Sequence, residues 1–359
     1  MRVTLRAGPL IPRHGFVLLA PLLLGGCGDV TELLGFIVID AGTVKVAVDG
    51  GGPPDAQAEA SVEAAAPDSA AAPDSAAASD SGIDGGGDAG NCDLTRPFGP
   101  PVLLTTLESA TTEGGLRLLS DELTGFFWSS RPGGPGSSNL YVTTRSDLGS
   151  PFGNIKLLNG NINMPNSLTI DPSSTGDGLS LVFRVKTGKD DAGIDQLYSA
   201  QRPDGGDFSS RSALAELNAT ATSTVQPFIL PDGSEIYFSS SRAGDYDIYR
   251  AARSGAGFAA PTLVTELNQG GGVNEGDPVL SADDLTILYS STRSGGLGGQ
   301  DIWLAQRTSK TAVFANAFDL REVNSGGLDA PTWLSQDACR LYLSSDRDGA
   351  AHLYVATRP

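Results

Sequence analysis

Histidine is nearly missing from this chain: of 359 residues only His14 and His352 carry an imidazole. A three-histidine zinc site is therefore excluded. A Ser-His-Asp triad would have to use His352, because His14 lies in an N-terminal sorting segment. Lysine and arginine are absent from Val46 to Thr95, a stretch that carries ten acidic residues. The formal charge is −18; from Arg96 to Pro359, 20 basic residues meet 29 acidic ones. Nothing resembles the basic footprint of a nucleic-acid binder, so that class of partner is set aside. The acidic balance speaks for solubility and says nothing of the fold. There is no G-x-S-x-G and no G-x-x-x-x-G-K, which removes the α/β-hydrolase and phosphate-loop chemistries.

What is present begins with a sorting signal. Arg2, Arg6 and Arg13 precede the apolar run Gly15–Leu24 (GFVLLAPLLL), whose ten residues are too few to span a bilayer as a mature helix. The run ends in Leu24-Gly25-Gly26-Cys27, which resembles the lipobox of bacterial lipoproteins. That resemblance implies cleavage before Cys27 and acylation of its thiol and new amino group. Several acyl chains exceed what stable anchoring needs. The alternative is an ordinary secretory signal with an incidental cysteine. Asp29 is not directly after Cys27, which by the usual sorting pattern favours the outer over the inner membrane. The expected organisation is a signal at 1–26, a lipidated N-terminus with a short apolar segment at 27–48, a tether at 49–95 and a folded part at 96–359. The tether is rich in Ala, Pro, Ser, Gly and Asp, with AAPDSA at 65–70 and again at 71–76; it buries too little apolar surface to offset ordering entropy.

Past Arg96 the chain consists of short β-type runs. A unit ending in Arg recurs as NLYVTTR (Arg145), QLYSAQR (Arg202), DIYRAAR (Arg253), DIWLAQR (Arg307) and HLYVATR (Arg358), at spacings of 57, 51, 54 and 51. A period near 50 built from short strands predicts a β-propeller. Each unit divides into strands a to d. Strand b (GFFWSS, EIYFSS, TILYSS, RLYLSS) is apolar on both alternating faces, as in a sheet covered on both sides by neighbours. Strand d follows a Phe and ends near Leu-Asn, as in FAAPTLVTELN at 258–268.

These runs, and NEGDPVLSADDLTILYSSTRSGGLGGQDIW at 274–303 most completely, resemble the PD40 repeat, the WD40-like propeller unit of the TolB family. Blade one reads SSRP with no spacer before Arg131, and blade two replaces Ser-Ser-x-Arg by VFRVKTG. The fold class expected is all-β: a five-bladed β-propeller of four-stranded antiparallel blades, with six blades as the alternative. Because the first recognisable strand, Phe98–Leu107, is of the d type and the last unit lacks one, the N-terminal strand should close the last blade beside HLYVATR, leaving no free edge. In such a blade the a–b and c–d turns share one face. That places Cys339 and Cys92 together as a disulfide candidate in an exported protein; two unpaired thiols are the alternative.

The opposite face carries the b–c and d–a loops. There Ser-Ser-x-Arg supplies Arg131, Arg242, Arg293 and Arg347, with Asp247 and Asp301 following the second and third. They form either a ring of guanidiniums offered to a ligand or clamps, made within each blade, that fix the b–c loops. Glu113, Glu275, Asp277 and Asp329 stand at the starts of strands a, which line the channel. Five-bladed glycosidase propellers place three carboxylates there, two of them acting as acid and as nucleophile or base. A structural Ca²⁺ is another use of such oxygens, and solvated loop charges a third. The expected function is non-catalytic binding of an envelope protein or glycan by an exported, lipid-anchored, monomeric propeller without a cofactor. The rival is a glycan-active enzyme, which requires the carboxyls of Glu113, Asp277 and Asp329 to gather within about 5–10 Å around an open pocket.

Overall fold

A computed structural model of the protein describes residues 35–40, 43–48 and 92–359, apart from 160 and 188–192. The expected signal, Cys27 and nearly all of the tether lie outside the described residues. Strands β1 (Gly35–Asp40) and β2 (Thr43–Val48) pair antiparallel as a hairpin, with Ile37 opposite Val46. No helix among the described residues is long and apolar enough to cross a membrane.

The remaining strands form five antiparallel sheets, the blades of a five-bladed propeller. Blade one is β4 (Glu113–Leu118), β5 (Thr124–Ser129), β6 (Asn139–Thr144) and β7 (Gly153–Leu157). Blade two is β8 (Ser167–Ser174), β9 (Ser180–Thr187), β10 (Asp195–Gln201) and β11 (Ser212–Ala213). Blade three is β12 (Thr224–Ile229), β13 (Glu235–Ser240) and β14 (Asp247–Ser254), with the short β15 (Gly257–Phe258) and β16 (Thr262–Leu263) both pairing β14. Blade four is β17 (Glu275–Leu280), β18 (Thr286–Ser291), β19 (Asp301–Gln306) and β20 (Ala315–Asp319). Blade five is β21 (Asp329–Leu334), β22 (Arg340–Ser345), β23 (His352–Thr357) and, from the other end of the folded part, β3 (Val102–Leu103).

The closing strand sits where the repeat count places it, with Leu103 opposite Tyr354 and Val102 opposite Val355. The Gly99 and Leu104 amides extend the join by donating to the carbonyls of Thr357 (2.8 Å) and Leu353 (2.9 Å). Cys92 and Cys339 are bonded, with 5.7 Å between their Cα atoms. The closing strand is nevertheless shorter than Phe98–Leu107: after Leu104 the chain turns, and the Leu107 amide donates back to the Leu104 carbonyl. The same turn follows the outer strands of the other blades, where an asparagine side chain replaces the lost ladder. The Asn163, Asn218, Asn268 and Asn324 amides each accept from one backbone N–H of the neighbouring third strand, at Leu140, Leu197, Ile248 and Ile302. Each also donates to the carbonyl of that same residue.

The second strands are buried on both faces, as their pattern requires: Ile236, Tyr237 and Phe238 are each 0% exposed, and so are Ile287, Leu288 and Tyr289. Burying side chains of this size contributes roughly 1.5–3 kcal/mol apiece. The arginine ending every unit explains why the period is kept. Arg145, Arg202, Arg253, Arg307 and Arg358 each donate from Nε to the carbonyl of an a–b turn residue, at Glu122, Gly178, Gly233, Asp284 and Ala338. All five turn residues have positive φ. The same guanidiniums lie over Phe152, Phe208, Phe258, Phe314 and Phe98, the aromatic that opens each outer strand. One residue thus ties together the turn, the third strand and the outer strand of its blade.

Candidate functional site

The Ser-x-Arg arginines are clamps with one arm inside the blade and the other on its neighbour. Arg131, Arg242, Arg293 and Arg347 each bond from Nε to the serine two residues earlier. Each then reaches from Nη2 to a carbonyl at the end of the preceding blade, at Leu107, Leu217, Leu267 and Val323. Aromatic faces cover them, for example Tyr289 and Trp303 over Arg293, although Arg242 also lines a wide surface hollow with Lys186 and Tyr246. The expected partners are corrected as well. Arg293 pairs with Glu275 (3.2 Å) and not with Asp301, whose Oδ2 accepts from Gly298. Arg242 makes no described ion pair with Asp247, which is buried in the neck of its loop.

The four carboxylates expected at the channel mouth separate into two groups. Glu113, Glu275 and Asp329 are each 0% exposed and each occupied by its own clamp. Glu113 accepts from Ser129 and Ser109 and lies 3.6 Å from Arg131 and 3.1 Å from His352 Nδ1. Asp329 pairs with Arg347 at 2.8 Å and accepts from Ser325. None of the three lines the larger cavity at the channel mouth, although Glu275 lines the smaller hollow beside it. Among the described residues no group of three His, Cys, Asp or Glu side chains is placed to hold a metal ion.

Asp277 differs, because it is two residues further along its strand than the position of Glu113. Every inner strand bulges: Gly276 pairs Ser290, but Val279 pairs Leu288, so two residues oppose one. The bulge residues Gly115, Asp171, Gln226 and Asp277 have φ of +63°, +51°, +52° and +48°. This left-handed geometry turns their side chains towards the axis. The result is a cavity of about 500 Å³ opening among the b–c and d–a loops, lined by Trp128, Asp171, Arg184, Gln226, Asp277 and Gln300 among others. A second hollow of about 280 Å³ shares Arg184, Gln226 and Gln300 with it.

Three donors converge on Asp277 Oδ2: Ser290 Oγ (2.8 Å), Gln226 Nε2 (2.9 Å) and Gln300 Nε2 (3.2 Å). Burial first, and then the charge of Asp171, push the Asp277 carboxyl up to about 7. Asp171 is raised as well by burial, against the opposing pull of Arg184. Arg184 bridges Asp171 (3.4 Å) and Asp195 (2.7 Å). Arg117 closes the floor beside Phe228, with 5.0 Å from its guanidinium carbon to the ring centre, and donates to the Pro278 carbonyl. Burial lowers Arg117 to about 10.

Most of this lining escapes a reading of the repeat, although the departures from the repeat point to it. Pairing places Trp128 and Arg184 opposite Gly114 and Ile170, where blades three to five have Ser239, Ser290 and Ser344. Blade one therefore has its spacer: Ser129, not Trp128, matches Ser240, and the first serine has become tryptophan. Arg117 likewise stands where Phe228, Val279 and Trp333 stand in later blades. A large or charged residue at a position otherwise held by small or apolar ones is the signal that was available.

No protein-family profile matches the sequence, and no curated relative is similar enough in sequence to align with it. Among solved structures the chain is similar to TolB from Acinetobacter baumannii, at 16% identity over 70% of this chain and a TM-score of 0.43; the match spans 56% of that protein's length. It is similar to a putative TolB from Agrobacterium tumefaciens at 18% identity, over 67% of this chain and 73% of the other, with a TM-score of 0.40. It is also similar to the catalytic domain of a GH62 α-L-arabinofuranosidase from Coprinopsis cinerea, at 11% identity over 73% and 97% of the two chains, with a TM-score of 0.44.

Proposed function

We propose that the protein is an exported lipoprotein, anchored through Cys27 and held off the membrane by its acidic tether. In this reading its propeller is a non-catalytic binding module of the cell envelope. The supporting observation is the cavity among the b–c and d–a loops, where a few polar groups converge, while Glu113, Glu275 and Asp329 are occupied by the Ser-x-Arg arginines of their own blades. A concave site with a few convergent polar groups is the usual form of a ligand site. Crosslinking in intact cells, capture of the full chain and mass spectrometry of what comes with it test the reading. An envelope protein or glycan attached at the loop-bearing face supports it, and specific capture only through the outer strands contradicts it. Labelled acyl chains should enter the wild type and not Cys27→Ala.

Catalysis on a glycan is the second reading. It is favoured by two carboxyls, Asp171 and Asp277, on one cavity, with Asp277 holding its proton up to about pH 7. Hydrolysis of aryl glycosides by the wild type, lost in Asp277→Asn, would put that reading first.

A further inference from the structure

Three non-glycine residues, Asp171, Gln226 and Asp277, hold left-handed backbone at the same bulge in three successive blades. Glycine meets that requirement without strain, as Gly115 does in blade one, whereas other residues pay roughly 1–2 kcal/mol. What the three positions gain is a polar side chain facing the axis. The bulges also interrupt the inner strand edges, so an extended peptide cannot add to any of them in continuous register.

The charges of the channel are matched internally. Arg184 is spent on Asp171 and Asp195, and Arg117 faces Phe228 and the Pro278 carbonyl. Arg117 makes no described ion pair and its Nη1 has no partner, but it is buried and feels the carboxyls of Asp277 and Asp171, which offset its charge. What remains is uncharged hydrogen-bonding capacity. Asp277 Oδ1 takes no described bond while Oδ2 takes three. Gln300 has its carbonyl oxygen to spare. Thr332, 3% exposed and lining the same cavity, has an Oγ1 with no partner.

The remaining wall is apolar, with Trp128 beside Leu328, Ala330 and Pro331. The Trp128 indole lies over Gly114 and Gly115, where a Cβ on Gly114 would come within 2.7 Å of the ring. Two consecutive glycines therefore make room for the ring at the cavity wall. A flat aromatic face beside planar amide and carboxyl groups is complementary to a ring that is apolar on its C–H face and hydroxylated at its rim.

We propose that the channel mouth is a saccharide site, in which a neutral pyranose ring stacks on Trp128 and places hydroxyl groups on Asp277, Gln300 and Thr332. This rests on the loop-bearing face being the binding surface, and it names the class of ligand. The cavity of about 500 Å³ is within the ordinary range of small-molecule sites.

The test is binding of the full chain, in detergent micelles, to an array of neutral glucosides, galactosides, mannosides and N-acetylglucosaminides beside uronate and sialic acid glycans. The expected result is retention on at least one neutral pyranoside, competed by the free methyl glycoside. Trp128→Ala and Gln300→Ala should each weaken it about tenfold or more, and Val313→Ala, on the exposed outer rim, should leave it unchanged. Because Trp128→Ala can disturb folding, Gln300→Ala with an unchanged melting temperature is the decisive variant. Binding only to anionic glycans, binding unaffected by both variants, or no binding to any neutral pyranoside would overturn the proposal. Crosslinking of an envelope protein to the loops in a chain that binds no glycan would sink the saccharide site and leave the binding-module reading standing.

Discussion

The Arg358 guanidinium carbon lies 4.1 Å from the ring centre of Phe98. The second-last residue of the chain thus packs on the aromatic that opens its closing strand. Arg358 also donates to the Leu94 and Arg96 carbonyls, and the disulfide between Cys92 and Cys339 lies beside it. Blade one contributes as well, through Glu122 paired with Arg340 at 2.9 Å.

Removing the disulfide should therefore loosen the whole ring. The bond closes 247 residues of chain, and the chain-entropy model gives about 5.5 kcal/mol for so long a loop, less any native strain. Cys92→Ser, Cys339→Ser and the double variant should lose the same stability, about 2–5 kcal/mol, in denaturant unfolding. Losses that add in the double variant would show that the two cysteines act separately.

The arginine clamps make a different prediction. Arg293→Met leaves Glu275 buried without its partner and should cost about 3–5 kcal/mol. The double variant Arg293→Met, Glu275→Gln should recover much of that, because no buried charge is then left unpaired. Equal melting temperatures for the single and double variants would contradict the clamp.

Asp277 predicts a pH dependence of stability. Its carboxyl releases its proton at about pH 7 in the folded chain and near its ordinary value of 3.8 when unfolded. Between those values the folded state binds the extra proton. The stability from this group is therefore complete below 3.8 and is lost as the pH rises through about 7. Relative to Asp277→Asn, which suits the same left-handed backbone, the wild type should lose up to about 1.4 kcal/mol per pH unit across that window. Parallel pH profiles for the two proteins would refute the raised carboxyl.

Blade number, ring closure and the twice-covered second strands were legible because they rest on a recurring residue pattern, such as the Arg that ends each third strand and the Phe that opens each outer one. The site was less legible for a matching reason. Ligand-facing residues such as Trp128 and Arg184 are those that break the pattern. Glu275, and not Asp277, is the counterpart of Glu113, and only the bulge that follows sets Asp277 apart by giving it a left-handed backbone. The arm of each clamp within its blade was one of the two readings the sequence offered, but sequence distance hides that Arg293 also reaches back to Leu267.

Hydrogen exchange across the seam of the ring is the most direct test of this architecture. In the full oxidised chain, the Gly99 and Leu104 amides should exchange as slowly as those of β18, because they are bonded to the last strand. They should speed up together when the disulfide is reduced. Free-chain exchange at Gly99 and Leu104, with β18 still protected, would show that the opening segment does not complete the final blade.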